Sequence, residues 1–358
     1  MPSLKIDYKC IARHGYNVGF GNYFQSIKLP LIEKIRRKNE KINLCGFLDG
    51  LSGDAWFFYY SSDYKFESSY VKSKNPLLTL AEMLGARISF VWRIPKDEIL
   101  SKIIDSLRKN RLVVSYLRFS DTFTDWIVIY DYNNNSDKFK VISYAGSITK
   151  DSSHLKASFD NEWFTLNSNP SRSKAYFYTF SVSPTFDASI EELSLISIEN
   201  AVDILTQKTH YFENVLYSAG QFAYDAIIKD LLFEHEYEKM SKEELEKLSS
   251  WNGLPFLLFQ RSRYSAYSFL EAIIPFFQGK ELKNLEKAYE MYYNIIKLLK
   301  QYQERLSYEG YHLNFERLSP GTLIQKLKNF ERRRDGVNIL RSVKNFELDV
   351  IDYLERLL

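Results

Sequence analysis

Apolar positions alternate or run in short blocks along the first half of the chain, and recur every three to four residues along the second. The first half predicts strands at 88–92, 112–119 (LVVSYLRF) and 175–184 (AYFYTFSVSP). Between them, DWIVIYDYNNNSDKFKVISYA (125–145) holds two β-rich runs flanking Asn133-Asn134-Asn135-Ser136-Asp137, which predicts a hairpin closed by a polar turn. Three helices punctuate this region: Leu29 to Lys41, the LLTLAEMLGA segment after Asn75-Pro76 with Gly85 as its cap, and Pro95 to Asn110. The last carries Ile99, Leu100, Ile103, Ile104 and Leu107 as one stripe.

From about residue 189 the pattern reads as helix after helix. Helices are expected over 198–219, 222–237, 262–277, 282–306, 320–334 and 342–358, with a capping box at Ser241 and Glu244 opening a short charged one. There is no internal repeat. The shift in pattern near Ser183-Pro184 sets the expected domains at 1–185 and 186–358, an α+β domain with a central antiparallel sheet followed by an all-α domain.

Composition narrows the function classes. A chain of 358 residues has enough length for two cores, and 45% hydrophobic with 26% charged residues is a globular balance. The 26 Tyr and 26 Phe bring the aromatic fraction to 16%, so thick cores or a ring-lined cleft are expected. A net charge of +3 without a basic stripe argues against nucleic acid as a partner. The first residues, MPSLKIDYKC, lack the apolar core of a signal peptide, and no later run reaches the length of a membrane span, so a cytoplasmic protein with no membrane partner is expected. Cys10 and Cys45 do not form a CxxC pair and the five histidines are scattered, so neither a disulfide nor a metal site is expected. No cofactor is implied.

Several segments together resemble the butirosin-biosynthesis protein H family. CGFLDGLSGDAWFFYY (45–60) resembles that family's glycine-rich segment ending in aromatics. LVVSYLRF and DWIVIYDYNN resemble its two site-bearing strands, the second of which opens on the catalytic His in peptidase-like members. FQRSRYSAYSFLEAI (259–273) resembles its C-terminal helical domain. The resemblance implies a papain-like, cysteine-peptidase-like N-terminal domain and transfer of an acyl group from a carrier-protein thioester to an amine in specialised-metabolite assembly. It implies as partner an acyl carrier protein or a carrier-bound substrate, and leaves a homo-oligomer open.

Such chemistry uses a thiolate, an imidazole that activates it and a group that orients the imidazole. The resemblance puts the nucleophile in GFGNYFQSIKL, where Asn22, Tyr23 and Phe24 stand; the base at Asp125; and the orienting residue near Ser143. Two expectations follow: a transfer protein with an altered site, or a non-catalytic member that binds or scaffolds a biosynthetic complex. Under the first, Tyr23, Asp125 and Ser143 are the catalytic positions. Gly19 and Gly21, preceding a helix, offer backbone N–H groups to a developing oxyanion, with Asn22, Trp56 and Trp126 beside the substrate.

Other candidates have plainer readings. Cys10 and His14, four apart, are an unusual nucleophile–base pair or an incidental one; Cys45 is a small buried hydrophobe; His154 is a loop residue. Gly19-x-Gly21 lacks the third glycine of a dinucleotide fingerprint. Asp49, Asp54, Asp121 and Asp125 would allow a third class, a hydrolase with paired carboxylates. The run Trp56 to Tyr60 reads either as a substrate channel or as core.

Overall fold

The computed structural model describes residues 44–63, 79, 83, 86–95, 98–109, 112–120, 123–143, 146–151, 174–182, 188–212, 214–232, 237, 240–241, 243, 245, 250–307 and 320–358. It divides into two compact units, Met1–Cys45 with Leu80–Asp187, and Gly46–Thr79 with Ala188–Leu358. The break at 187/188 lies two residues from the expected one. The earlier break was not expected: the glycine-rich, aromatic segment after Cys45 belongs to the helical unit and interrupts the sequence of the other.

The first unit is built on a six-stranded antiparallel sheet of order β2-β7-β3-β4-β5-β6. Its strands are β2 (Ala86–Pro95), β3 (Leu112–Ser120), β4 (Phe123–Asn133), β5 (Lys138–Ser143), β6 (Gly146–Asp151) and β7 (Lys174–Val182). The central antiparallel sheet is thus as the pattern predicts, and so is the β4–β5 hairpin. Its turn is fixed by local polar chemistry. The Asn135 N–H donates to Asn133 Oδ1 at 2.9 Å, Asp137 takes a positive φ of 49°, and the Tyr132 hydroxyl donates to Asp137 at 2.7 Å. A bulge between Ile129 and Asp131 shifts the register, so that Ile129 and Tyr132 face Val141 and Phe139 respectively. The expected helix at 95–110 is α2 (Ile99–Arg108), which packs on β3 and β4 with Ile103 and Leu107 buried. The expected helix at 29–41 and most of the helix after Pro76 lie outside the described residues.

The second unit contains six α-helices from residue 188 onward among the described residues, and also a three-stranded antiparallel sheet, so it is not all-α. Helix α3 (Ile190–Thr206) opens with a capping box at Ser189 and Glu192. The helix expected to run to Ala219 stops at Thr206. Gln207 turns extended, β8 (Thr209–Phe212) and β9 (Val215–Ala219) form a hairpin, and Asn214 supplies the positive φ (66°) of its turn. Thr-His-Tyr-Phe is β-branched and aromatic, a composition that fits a pleated surface better than a helix. The third strand comes from the inserted segment: β1 (Tyr59–Tyr60) pairs with Ala219 and Ser218 of β9. Gly220, at φ +49°, then turns β9 directly into α4 (Gly220–Leu232); a Cβ there would lie 2.2 Å from the Leu205 carbonyl oxygen.

The remaining helices are α5 (Leu254–Ile273), α6 (Gly279–Leu306), α7 (Pro320–Lys328) and α8 (Phe330–Glu355). Helix α8 runs straight through Gly336, which the sequence pattern reads as a break. The glycine is there for close packing, since a Cβ would meet Leu306 at 2.3 Å. Buried Lys326 donates to the Glu304 and Ser307 carbonyls, capping the end of α6.

The inserted segment starts within helix α1 (Leu44–Leu51), whose Gly46 and Gly50 are four apart and so share a face. Both press against α5: a Cβ on Gly46 would sit 2.5 Å from the Ser268 carbonyl oxygen, and one on Gly50 would sit 2.1 Å from the Phe269 ring. Phe269 is itself 0% exposed and has nowhere to retreat. Gly50→Ala is therefore expected to cost about 1–3 kcal/mol through overpacking, read as a lowered thermal midpoint, although alanine favours helix.

Candidate functional site

In the first unit the strand register places the expected site positions. Val113 pairs with Ile129, Leu117 with Asp125, and Ile129 with Val141. Residues two apart on a strand share a face, so Asp125 and Ser143 belong to the face that buries Val113, Ile129 and Val141, each 0% exposed. Val128 pairs with Ile142, which makes Ser143 a diagonal neighbour of Asp125 across β4 and β5, a relation of about 7–8 Å in an antiparallel pair. Ser143 also ends β5, facing Gly146 at the start of β6. Beyond the apolar part of this face, a carboxylate position and a hydroxyl position thus sit on neighbouring strands near the sheet's end.

Trp126 pairs with Tyr116 on the opposite face, so the register separates it from Asp125 and Ser143. Trp56 belongs to the other unit. It is 0% exposed, with its ring edge-on to Phe269 at 5.7 Å and tilted against Tyr292 at 5.9 Å, which is the core reading of the aromatic run. Asp49 is also in that unit, buried on α1 and accepting from the Ser265 hydroxyl at 2.7 Å; Asp54, part-buried, follows Ser52 in the adjoining turn. Tyr23, Gly19, Gly21, Asn22, Asp121, Cys10, His14 and His154 lie outside the described residues. Among the described residues no group of three or more His, Cys, Asp or Glu is placed to hold a metal.

The second unit has a polar centre that the sequence reading does not single out. Arg263 on α5 and Glu347 on α8 form an ion pair at 2.6 Å with side chains 0% and 2% exposed. The same guanidinium donates to the Phe57 carbonyl at 3.1 Å and lies over the Phe58 and Phe259 rings at 5.4 and 4.6 Å. It therefore ties α5, α8 and the inserted segment at one point. Tyr224 and Tyr292 border the pair; burial first, and the Glu347 charge second, raise both phenols well above their ordinary pKa. Burial likewise raises Tyr60, which donates to Asp230 at 2.6 Å, and Tyr302, which donates to Asn252 at 2.7 Å. At neutral pH all four phenols keep their protons, which makes them poor bases and nucleophiles there; Tyr60 and Tyr302 donate those protons in hydrogen bonds.

The consequence is a steep alkaline limit. A phenol whose folded pKa is raised keeps its proton when the unfolded chain, above about pH 10, has lost its own. The unfolded state then binds fewer protons, and stability falls as pH rises, by about 1.4 kcal/mol per pH unit for each such tyrosine. With Tyr60, Tyr224, Tyr292 and Tyr302 acting together, phenolate absorbance of these residues should appear in one cooperative step with loss of helical circular dichroism above pH 10. Gradual titration with the helices intact would contradict it.

Two signals in the sequence point to the ion pair. Arg263 stands in the stripe Phe256, Phe259, Ala266, Leu270, and Glu347 in the stripe Leu340, Val343, Val350, Leu354, all buried. A charge at an apolar stripe position on each of two helices marks a buried pair. Among the described residues no helix is long and apolar enough to cross a membrane. No family model matches the chain, and no curated protein matches it.

Proposed function

We propose that the chain is an acyl- or aminoacyl-transfer protein resembling the butirosin H family, with a papain-like first unit in which carboxylate and hydroxyl groups replace thiol and imidazole. The observation that carries this reading is the register that sets Asp125 and Ser143 on one face of adjacent strands, the relation that the resemblance implies for a base and its orienting residue. In the proposed reaction the acceptor amine attacks the thioester carbonyl, the C–S bond breaks, and the carrier thiol leaves with the proton that Asp125 takes from the amine. Ser143 orients Asp125, Tyr23 donates a hydrogen bond to the leaving sulfur, and the amides from Gly19 to Gly21 polarise the carbonyl.

A second reading, a non-catalytic partner that binds a carrier-held acyl group in a biosynthetic complex, draws on the same positions: none of Tyr23, Asp125 or Ser143 is a thiol or an imidazole. Incubation with an acyl carrier thioester and a panel of amines separates the two. The first predicts amide product, with kcat/KM falling roughly 10²- to 10⁴-fold in Asp125→Ala and less in Tyr23→Phe. Transfer that is unchanged in both variants overturns the assigned site, whereas retained carrier binding without turnover selects the second reading.

A further inference from the structure

On one side of the α5–α6 pair, Tyr267 and Tyr289 stack with ring centroids 4.4 Å apart and planes 20° from parallel. Their hydroxyl groups are in hydrogen-bond contact with each other. Both rings are half-buried, so one side of the stack meets solvent. Tyr293, 47% exposed, follows at 6.3 Å from Tyr267, and Lys297 lies over its outer ring at 4.2 Å. By contrast Tyr59, Tyr60, Tyr224, Tyr292 and Tyr302, which also make close ring contacts in this unit, are each at most 3% exposed.

Near-parallel rings with touching hydroxyls bring the carbons ortho to those hydroxyls against one another. These are the positions at which a phenoxyl radical carries spin and couples. Holding the two rings in that contact turns a second-order radical encounter into an intramolecular one, where effective concentrations are very high. Because both rings are half-buried, the proton lost on oxidation can pass to solvent. We propose that Tyr267 and Tyr289 are an oxidative modification site that closes to a dityrosine cross-link between α5 and α6.

The oxidant is a peroxide acting through a haem-peroxidase-type one-electron oxidant. Each phenol gives up one electron and its hydroxyl proton, and the two radicals form one Cε–Cε bond. The ortho hydrogens then move to the oxygens and restore both phenols. Hydrogen peroxide takes up the two electrons and two protons and leaves as two waters, so the protein loses two hydrogens. The cross-link joins positions 22 residues apart in sequence and would restrain the α5–α6 hairpin in the unfolded chain, as a disulfide of that span does.

The test exposes the full chain, at several dilutions, to hydrogen peroxide and a haem peroxidase, then follows dityrosine fluorescence and maps the cross-linked peptides. The expected result is a monomer two hydrogens lighter, with one bond between the peptides carrying Tyr267 and Tyr289 and a rate per molecule independent of dilution. Tyr267→Phe and Tyr289→Phe should each abolish the product, while Tyr293→Phe should leave it; circular dichroism of each variant checks that the helices are retained. Coupling that appears only between molecules, that maps to other tyrosines, or that survives Tyr289→Phe overturns the proposal.

Discussion

Residues 186–358 produced alone will fail to fold cooperatively, and adding residues 44–63 back through a flexible linker will restore a single unfolding transition. The pattern shift near Ser183 makes 186–358 the natural fragment to express, yet the core of that unit includes side chains that arrive from the inserted segment. Phe47, Leu48, Leu51, Trp56, Phe57, Phe58, Tyr59 and Tyr60 are each at most 5% exposed. They fill space between elements of the later sequence: Phe58 stacks on Phe259 at 4.2 Å and meets Tyr224 at 4.6 Å, and Tyr60 lies edge-on to Trp251 at 5.9 Å. At about 1.5–3 kcal/mol for each large apolar side chain buried, their loss removes more than 10 kcal/mol, comparable with the whole stability of an ordinary domain. The strand Tyr59–Tyr60 also covers the β9 edge, and without it that edge is open to other chains. Far-ultraviolet circular dichroism with dye binding distinguishes the outcomes: residual helix, strong dye binding and no sharp thermal transition are expected for the bare fragment.

Arg263→Met is expected to cost about 3–5 kcal/mol, the largest loss for any single substitution in this unit, because it leaves the Glu347 carboxylate buried without its partner. Three contacts go at once: the pair itself, the bond to the Phe57 carbonyl and the face-on contact with Phe58 and Phe259. Glu347→Gln should cost less than Arg263→Met, since its amide oxygen still accepts from the guanidinium. The double variant Arg263→Met with Glu347→Leu should recover most of the loss, as desolvating two charges offsets much of what their attraction gains. Denaturant titrations of the wild type, Arg263→Met, Glu347→Leu and the double variant close a cycle that gives the coupling directly, and additive losses would show that the charges do not interact.

Legibility in the sequence followed the strength of each period. Five of the six strands of the first unit are readable, because β3, β4 and β7 are long β-rich runs bounded by polar turns and the Asn133–Asp137 turn declares itself through residues that bond their own backbone, whereas β6 (Gly146–Asp151) is short, polar and not expected. Helices α6 and α8 were readable because their stripes persist over many turns. Helix α3 was drawn too long because Thr209–Phe212 keeps an apolar spacing that a helix also tolerates, and only the extended Gln207 and the αL Asn214 reveal the hairpin. The chain crossing after Cys45 was not readable at all. Gly46 and Gly50 look like a flexible segment in sequence, whereas their purpose is to let α1 touch α5, a partner more than two hundred residues away. At the candidate site, the positions of Asp125 and Ser143 came from the resemblance, and the register set them on one face; Trp56 went to the core and Trp126 to the other face. Arg263 and Glu347 are legible as charges within apolar stripes, but the stripes alone do not say that the two face each other.

The proposed transfer needs no thiol of this chain. This is tested most directly by replacing both cysteines, Cys10→Ser with Cys45→Ser, and measuring amide formation from an acyl carrier thioester alongside the intact mass of the protein during turnover. The account predicts an unchanged rate and no acyl adduct on the unsubstituted chain's cysteines. Loss of transfer in the double variant, or an acyl group found on Cys10 or Cys45, would contradict it.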